Sequence, residues 1–367
     1  MKEERPPGPD TGFTLLDGAT SAGVDLTDSY GTQHLVAANL ERPLVERLAA
    51  FEDIFESEVG DTTIARARNV ERSSGLRQIF LKFEGSNPSG TQKDRIAFAQ
   101  ALDAMRRGFD AMTVATCGNY GVAIAMAARL SGLRCLVYIP ANYSTGREKE
   151  MVELGAEIVR VPGDYENAVL VSGERAEKDE IYDANPGGAN TLLQLQAYGG
   201  IAYEIYDELR DAPVAVAVPA SNGTTLAGIH HGFVSLYRRG KTSRVPHLVC
   251  GSSHGKNPIV LAWRKNLPEC TDLPPERIKE TAVNEPLINW HSIDGDLALE
   301  AIRTTGGWAG DASDKAMRDC ARMLRDREGL NVLPASTAGL LVLLARNHQE
   351  PLPGDRYVAI LTGRKSA

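Results

Sequence analysis

The chain has 367 residues, of which 43% are hydrophobic and 24% carry a charge; this length and composition are typical of a globular protein that divides into two domains. The formal net charge of -8 disfavours attraction to nucleic acid and to anionic membrane surfaces, and no apolar run approaches the roughly 20 residues of a membrane span. The five scattered cysteines form no C-x-x-C pair, which argues against a zinc site and a disulfide framework, so we expect a cytoplasmic protein.

Short apolar runs alternate with amphipathic helical stretches along most of the chain. After a helix at RPLVERLAAFEDIF, the pattern predicts in turn strand RQIFLKFEG, helix KDRIAFAQALDAMRRG, the strand-and-loop stretch AMTVATCGNYG, helix VAIAMAARLSG, strand RCLVYIP, helix REKEMVELGA and strand EIVRVPG. The alternation resumes within APVAVAVPASNGTTLAGIHHGFVSLYRRG and VPHLVCGSS, and it ends with a helix over 338–347 and strand RYVAILTG. This order predicts an α/β fold of two open, mainly parallel domains with a cleft between them.

The loop EGSNPSGTQKDR follows the first of these strands and contains a single lysine, Lys93. It is not a nucleotide-binding P-loop, because that motif places the lysine directly after the second glycine, and here Thr91 and Gln92 intervene. On sequence position alone, Lys93 is equally consistent with a solvated residue in the first turn of a helix.

Three further loops rich in small residues follow predicted strands, where ligands bind in open α/β sheets. TCGNYG at 116–121 suits an anion such as a substrate carboxylate, SNGTTLAG at 221–228 suits a phosphate, and LTGR at 361–364 places Thr362 at the end of the last strand. Each loop alone is also what an ordinary turn into a helix requires. Their combination and order are what indicate function.

In this order the loops resemble the tryptophan synthase β-subunit superfamily of pyridoxal-phosphate enzymes, the fold-type II group, and within it the threonine synthase branch most closely. The resemblance runs from about residue 60 to residue 363. It includes GDTTIARARNV, the lysine loop LKFEGSNPSGTQKDR, TCGNYG, GTTLAGI, GSSHGKNPI, IRTTGGWAGDASD and EGLNVLPASTAGL. The lysine loop and the closing E-G…P-A-S pattern are its most specific parts.

The resemblance implies pyridoxal 5'-phosphate as the cofactor and gives each loop a role. Lys93 matches the catalytic lysine, which forms a Schiff base with the cofactor and moves a proton at the α-carbon of the substrate. Asn119 matches the donor to the phenolic oxygen of the cofactor, and Thr362 matches the hydroxyl that faces the pyridine nitrogen. The phosphate cup at the start of a helix is matched by Ser221, Asn222, Gly223, Thr224 and Thr225.

A second group of residues is implied to bind the substrate: Thr116, Cys117, Gly118, Tyr120 and Arg147. The first three lie where the substrate carboxylate docks in the family. Arg147 stands near a helix start at which similar enzymes use a basic residue for a substrate phosphate or carboxylate; a solvated helix face is the alternative for this arginine.

The implied reaction is elimination followed by replacement on an amino acid, most simply O-phosphohomoserine and water to threonine and phosphate. A neutral hydroxyl at Thr362 does not hold the pyridine nitrogen protonated, which favours this chemistry over transamination. The chain departs from the threonine synthase pattern around the substrate, at Thr91-Gln92, Tyr120 and Arg364. Two alternatives therefore stay open: β-replacement or deamination of serine, O-phosphoserine or threonine, and a non-catalytic protein that binds the cofactor or an amino acid.

The resemblance also predicts the domain organisation and the partners. We expect an N-terminal extension at 1–58, a large cofactor-binding domain of 59–97 and 201–367, and a smaller mobile domain at 98–200, with the cofactor in the cleft. The expected partners are a small-molecule amino-acid substrate and a second copy of the chain in a homodimer, without nucleic acid or membrane. We predict no metal site, since His230 and His231 are adjacent on a helix and point about 100° apart.

Overall fold

The computed structural model describes residues 27–116, 118–143 and 145–365. Within these ranges the strands are β1 (Ile64–Arg66), β2 (Ile79–Phe83), β3 (Ala111–Ala115), β4 (Arg134–Pro140), β5 (Glu157–Val161), β6 (Tyr182–Asp183), β7 (Ala215–Pro219), β8 (His247–Ser253), β9 (Trp308–Ala312) and β10 (Tyr357–Leu361). The α-helices are α1 (Thr27–Ala37), α2 (Leu44–Glu58), α3 (Arg68–Ser74), α4 (Lys93–Arg106), α5 (Asn119–Ser131), α6 (Glu148–Glu153), α7 (Tyr165–Asp179), α8 (Thr191–Leu209), α9 (Thr224–Arg238), α10 (Pro258–Arg264), α11 (Gly295–Thr304), α12 (Asp314–Glu328) and α13 (Ala338–Gln349).

The strands form two sheets. The large sheet has six strands in the order β1-β2-β10-β7-β8-β9, and the small sheet has four in the order β5-β4-β3-β6. All neighbouring strands are parallel except β1, which is antiparallel to β2. Strands β3, β7 and β10 are buried along their whole length, as expected for parallel sheets covered by helices on both faces. The predicted α/β fold is confirmed.

Polar residues fix where several helices begin. Helix α7 starts after Asp164, whose carboxylate accepts the backbone N–H of Asn167 at 3.0 Å, and α12 starts after Ser313, whose hydroxyl accepts that of Ala316 at 3.2 Å. Such caps satisfy backbone donors that the first turn of a helix leaves unpaired. None of the helices in the described ranges is long and apolar enough to cross a membrane.

A buried ion-pair network anchors the start of α4 to the large sheet. Arg95 lies 2.6 Å from Glu84 and 2.7 Å from Glu204, and Lys82 of β2 also contacts Glu204. Burial alone would raise the pKa of Glu204, but Arg95 and Lys82 outweigh it and hold that pKa at about 2. Because Arg95 is two residues from Lys93, the network fixes the position of the helix turn that carries this lysine.

Several elements were not predicted individually from the sequence. They include the short strands β1, β6 and β9 and the helices α7, α8, α11 and α12. Helix α8 runs continuously across the predicted domain boundary at residue 200. The division into an extension, a large domain and a smaller mobile domain stays a prediction.

Candidate active site

The order of strands in the large sheet brings three of the predicted loops together. Strand β10 lies between β2 and β7, so the loops that follow these three strands are neighbours at one edge of the sheet. They line a cavity of about 540 Å³ together with the loop that follows β3 of the small sheet. Of the predicted site residues, the cavity is lined by Lys93, Thr116, Gly118, Asn119, Tyr120, Ser221, Asn222, Gly223, Thr224, Thr225 and Thr362.

Lys93 is the first residue of α4 and lines this cavity. Burial lowers the pKa of its amine from the usual 10.5 to about 8, while the nearby carboxylate of Asp294 opposes that decrease. The amine lies 5.5 Å from the ring centroid of Tyr120. An amine with a pKa near 8 is neutral in a substantial fraction of molecules at neutral pH, which is what attack on a carbonyl requires.

The lysine loop is held against the residues that follow β10. The backbone N–H of Gln92 donates to the carbonyl of Thr362 at 3.0 Å, and the N–H of Arg364 donates to the carbonyl of Gly90 at 2.9 Å. The Thr362 hydroxyl lies 3.0 Å from that of Ser336. These contacts place Thr362 beside the lysine loop and orient its hydroxyl through Ser336.

The predicted phosphate cup turns directly into helix α9. Gly223 has a φ of 94°, which glycine adopts without strain, and a Cβ there would lie 2.7 Å from the carbonyl oxygen of Asp294. Thr224 and Thr225 open the helix, whose first backbone N–H groups have no partner within the helix. Such a helix start favours a bound anion, as the predicted phosphate cup requires.

Asp294 lies against this phosphate cup and adds a carboxyl group to it. The sequence did not predict this residue. Its backbone N–H donates to the carbonyl of Asn222 at 3.0 Å, and its carboxylate accepts the Thr224 hydroxyl. Burial raises the pKa of Asp294, although the Thr224 hydrogen bond and the Lys93 charge act in the opposite direction. A phosphate that takes the Thr224 hydroxyl must therefore displace this carboxylate.

The loop after β3 supplies the other wall of the cavity. Asn119 is the first residue of α5, and the Thr116 hydroxyl accepts the backbone N–H of Gly118 at 3.4 Å. The Tyr120 hydroxyl donates to the carbonyl of Ala184 at 2.7 Å, so its ring rather than its hydroxyl faces Lys93. Cys117, which was also predicted here, lies outside the described residues.

Arg147 is not among the residues that line the cavity. Its guanidinium lies 3.0 Å from Glu150 and donates to the carbonyl of Ser89 at 3.4 Å. Burial raises the pKa values of the Asp94 and Glu285 carboxyls to about 7, and the charge of Arg147 opposes that increase in both. The predicted contact between Arg147 and the substrate stays a prediction.

Glu285 is a second cavity residue that the sequence did not predict. Its Oε1 lies 3.2 Å from the position that a Cβ on Gly118 would occupy, so the carboxyl is beside the predicted substrate loop. Burial and then the charge of Glu280 raise its pKa to about 7, against the opposing effect of Arg147. Glu285 and Asp294 both lie on the connection between α10 and α11, whose sequence has no periodicity that could have indicated them.

The donor groups of the cavity fit pyridoxal 5'-phosphate. Lys93 offers an amine for its aldehyde, the start of α9 offers N–H and hydroxyl donors for its phosphate, and Asn119 and Thr362 offer an amide and a hydroxyl for its ring. Asp294 is the feature of the cup that opposes an anion, and its raised pKa weakens that opposition.

Comparison with known proteins identifies the same chemistry. The family model for pyridoxal-phosphate dependent enzymes matches residues 55–363. The threonine synthase of Methanocaldococcus jannaschii is 28% identical over 307 residues, which cover 83% of this chain and 74% of that protein. The threonine synthase of Synechocystis sp. is 28% identical over 306 residues, 83% of this chain and 76% of its own length.

Solved structures share the fold at lower sequence identity. Maize serine racemase superposes with a TM-score of 0.72 at 17% identity, covering 87% of this chain and 93% of its own. The processed form of threonine deaminase isoform 2 from Solanum lycopersicum superposes with a TM-score of 0.71 at 16% identity. The superposition covers 94% of this chain and 92% of that chain.

Proposed function

Because the chain belongs to the family of pyridoxal-phosphate dependent enzymes, we propose that it catalyses an elimination or replacement reaction on an amino acid, with Lys93 as the catalytic lysine. The family and its cofactor were both predicted from the sequence and are confirmed. The observation that carries the proposal is the amine of Lys93, which has a pKa near 8 and lines one cavity with the phosphate cup, Asn119 and Thr362.

In this proposal, each residue of the site has a separate role in the reaction. When bound, pyridoxal 5'-phosphate supplies the electron sink that makes loss of the α-proton feasible. Lys93 accepts that proton, and Thr116 and Gly118, ahead of α5, orient the amino acid through its carboxylate. Thr362 offers a neutral hydroxyl to the ring, which favours elimination and replacement over transamination.

Two forms of the reaction are candidates for this lyase. Relatives named threonine synthase support the conversion of O-phosphohomoserine and water to threonine and phosphate. The departures around Lys93 and Tyr120 support β-replacement or deamination of serine, O-phosphoserine or threonine instead. We keep the homodimer, the cytoplasmic location and the mobile small domain as predictions that accompany this proposal.

The test is exchange of the substrate α-proton in deuterated water, followed by NMR, after the protein is loaded with pyridoxal 5'-phosphate. We expect a visible imine absorption band and loss of the α-proton signal from at least one of the amino acids O-phosphohomoserine, serine, O-phosphoserine and threonine. Lys93→Ala should abolish both, whereas Lys149→Ala, a change at an exposed lysine of α6, should preserve both. Undiminished exchange in Lys93→Ala would refute the assignment of Lys93 as the catalytic lysine, whereas an imine band without exchange of any of these amino acids in wild type would support the alternative of a non-catalytic binding protein.

A further inference from the structure

Glu285 bears on which of these substrates the cavity accepts. The cavity-lining residues in the described part of the chain include one cationic side chain, Lys93, and the four carboxyl groups of Asp164, Glu166, Glu280 and Glu285. The amine of Lys93 is taken up by the cofactor in the proposed function. The other charged side chains of the described lining are therefore all acidic.

Glu285 is the carboxyl of this set that lies closest to where the sequence predicts the substrate. Its Oε1 is 3.2 Å from a Cβ position on Gly118, at the start of α5. The groups that act on its charge come from two sides: Glu280 of the same connection disfavours ionisation, and Arg147 beside α6 favours it. An amino acid bound at the start of α5 would place its side chain in the same cavity as the Glu285 carboxyl.

The arginine that could compensate a phosphate is engaged elsewhere. Arg147 pairs with Glu150 at 3.0 Å, and its charge also acts on Asp94. The phosphate cup at Ser221–Thr225 is occupied by the cofactor in the proposed function. A phosphate on the substrate side chain would thus add negative charge to a cavity that already holds four carboxyl groups.

We propose that the substrate is an amino acid whose side chain carries an uncharged leaving group, such as a hydroxyl, and that Glu285 discriminates against a phosphorylated side chain. The inference rests on the proposed function and selects among its substrates. The α-carboxylate is common to every candidate, so it does not affect the choice; the charge of the side chain does. Repulsion by one nearby carboxylate in a partly buried site reduces the relative kcat/KM for the phosphorylated substrate by about tenfold or more.

The test compares serine with O-phosphoserine, and homoserine with O-phosphohomoserine, by the rate of α-proton exchange and by kcat/KM in the protein loaded with cofactor. We expect wild type to prefer the unphosphorylated member of each pair. Glu285→Gln should improve kcat/KM for the phosphorylated member about tenfold relative to its partner. Glu276→Gln, a change at an exposed glutamate of the same connection, should leave the ratio unchanged.

The pH profile separates electrostatic selection from a structural role for Glu285. With a pKa of about 7, Glu285 is mostly neutral at pH 6 and mostly ionised at pH 8, so wild-type preference for the unphosphorylated substrate should rise across this range. The phosphate ester also titrates near pH 6, but equally in both proteins, so the difference between wild type and Glu285→Gln isolates Glu285. If Glu285→Gln does not fold, Glu280→Gln serves instead, since removal of that charge should move the rise to lower pH.

The outcomes distinguish this inference from the proposed function. If wild type prefers the phosphorylated substrates, the inference is wrong, while the proposed function stands. Loss of that preference in Arg147→Met would then show that Arg147 binds the phosphate. The inference would also be wrong if the preference for the unphosphorylated substrate had the same pH dependence in wild type and in Glu285→Gln. Loss of α-proton exchange with every amino acid, in a protein that shows the imine band, would refute the proposed function itself.

Discussion

The reactivity of the Lys93 amine can be changed in a defined direction through Asp294. Burial lowers the pKa of Lys93 from 10.5 to about 8, and this shift increases the neutral fraction of the amine at pH 7 by about 300-fold. The carboxylate of Asp294 favours the protonated amine and so limits the shift. Asp294→Asn removes that charge, and we expect the pKa of Lys93 to fall below 8 and the neutral fraction at pH 7 to approach its limit, at most about tenfold above wild type.

The assay is the rate of imine formation between the protein and pyridoxal as a function of pH. Pyridoxal lacks the phosphate, so its rate reports on the Lys93 amine without the repulsion between Asp294 and a bound anion. The rate should rise through an inflection near pH 8 in wild type and at lower pH in Asp294→Asn. Glu285→Gln is the control, because Glu285 lines the same cavity but Asp294 is the carboxylate that acts on the Lys93 pKa.

The same variant makes a separate prediction for the complete cofactor. Asparagine carries no charge against the phosphate, and its amide oxygen is a weaker acceptor for the Thr224 hydroxyl than the carboxylate is. Asp294→Asn should therefore lower the dissociation constant of pyridoxal 5'-phosphate more than that of pyridoxal. An inflection near pH 10 in wild type, or one that moves to higher pH in Asp294→Asn, would refute the reasoning about Lys93.

Three further substitutions test the scaffold and the ring contact. Arg95→Met breaks the buried ion-pair network and should lower the free energy of unfolding in urea by about 3–5 kcal/mol, whereas Arg106→Met, at an exposed ion pair of the same helix, should change it by less than about 1 kcal/mol. Gly251→Ala should destabilise by about 3 kcal/mol in the same measurement, since its Cβ would lie 2.3 Å from the backbone of Ala338. Thr362→Val should leave the imine band in place but raise the dissociation constant of the cofactor about fivefold, the loss expected for one hydrogen bond in an absorbance titration.

The sequence predicted the positions of these loops because local rules determine where strands end and helices begin. Lys93, Asn119 and Thr224 each begin a helix, and Thr362 directly follows the last strand. Hydrophobic periodicity in the sequence does not indicate the order of the strands in the sheet. The placement of β10 between β2 and β7, which brings three loops together, follows from pairing between strands that are far apart in the chain.

Glu285 and Asp294 could not be predicted from the same rules. Both lie on the connection between α10 and α11, where short 3₁₀ turns at Pro275–Arg277 and Glu285–Leu287 interrupt an otherwise irregular path. Their environment is created by tertiary contacts: the neighbour of Asp294 is Thr224, seventy positions earlier, and the neighbour of Glu285 is Gly118. A carboxylate in an irregular segment looks the same in sequence whether it is solvated or faces a cavity.

In the proposed function, the connection between α10 and α11 acts on the substrate through Glu285 and on the phosphate cup through Asp294. The predicted cofactor residues stand at strand ends and helix starts, so their positions are fixed by sheet pairing and by the buried network around Arg95. The connection contributes no strand to either sheet, yet it places Glu285 in the cavity and Asp294 against the cup. Substitutions of Glu285 and Asp294 therefore change the charge of the cavity and of the cup. In the proposed function, substitutions of this kind are the ones that would alter the preference for a leaving group, so family membership alone does not determine the substrate.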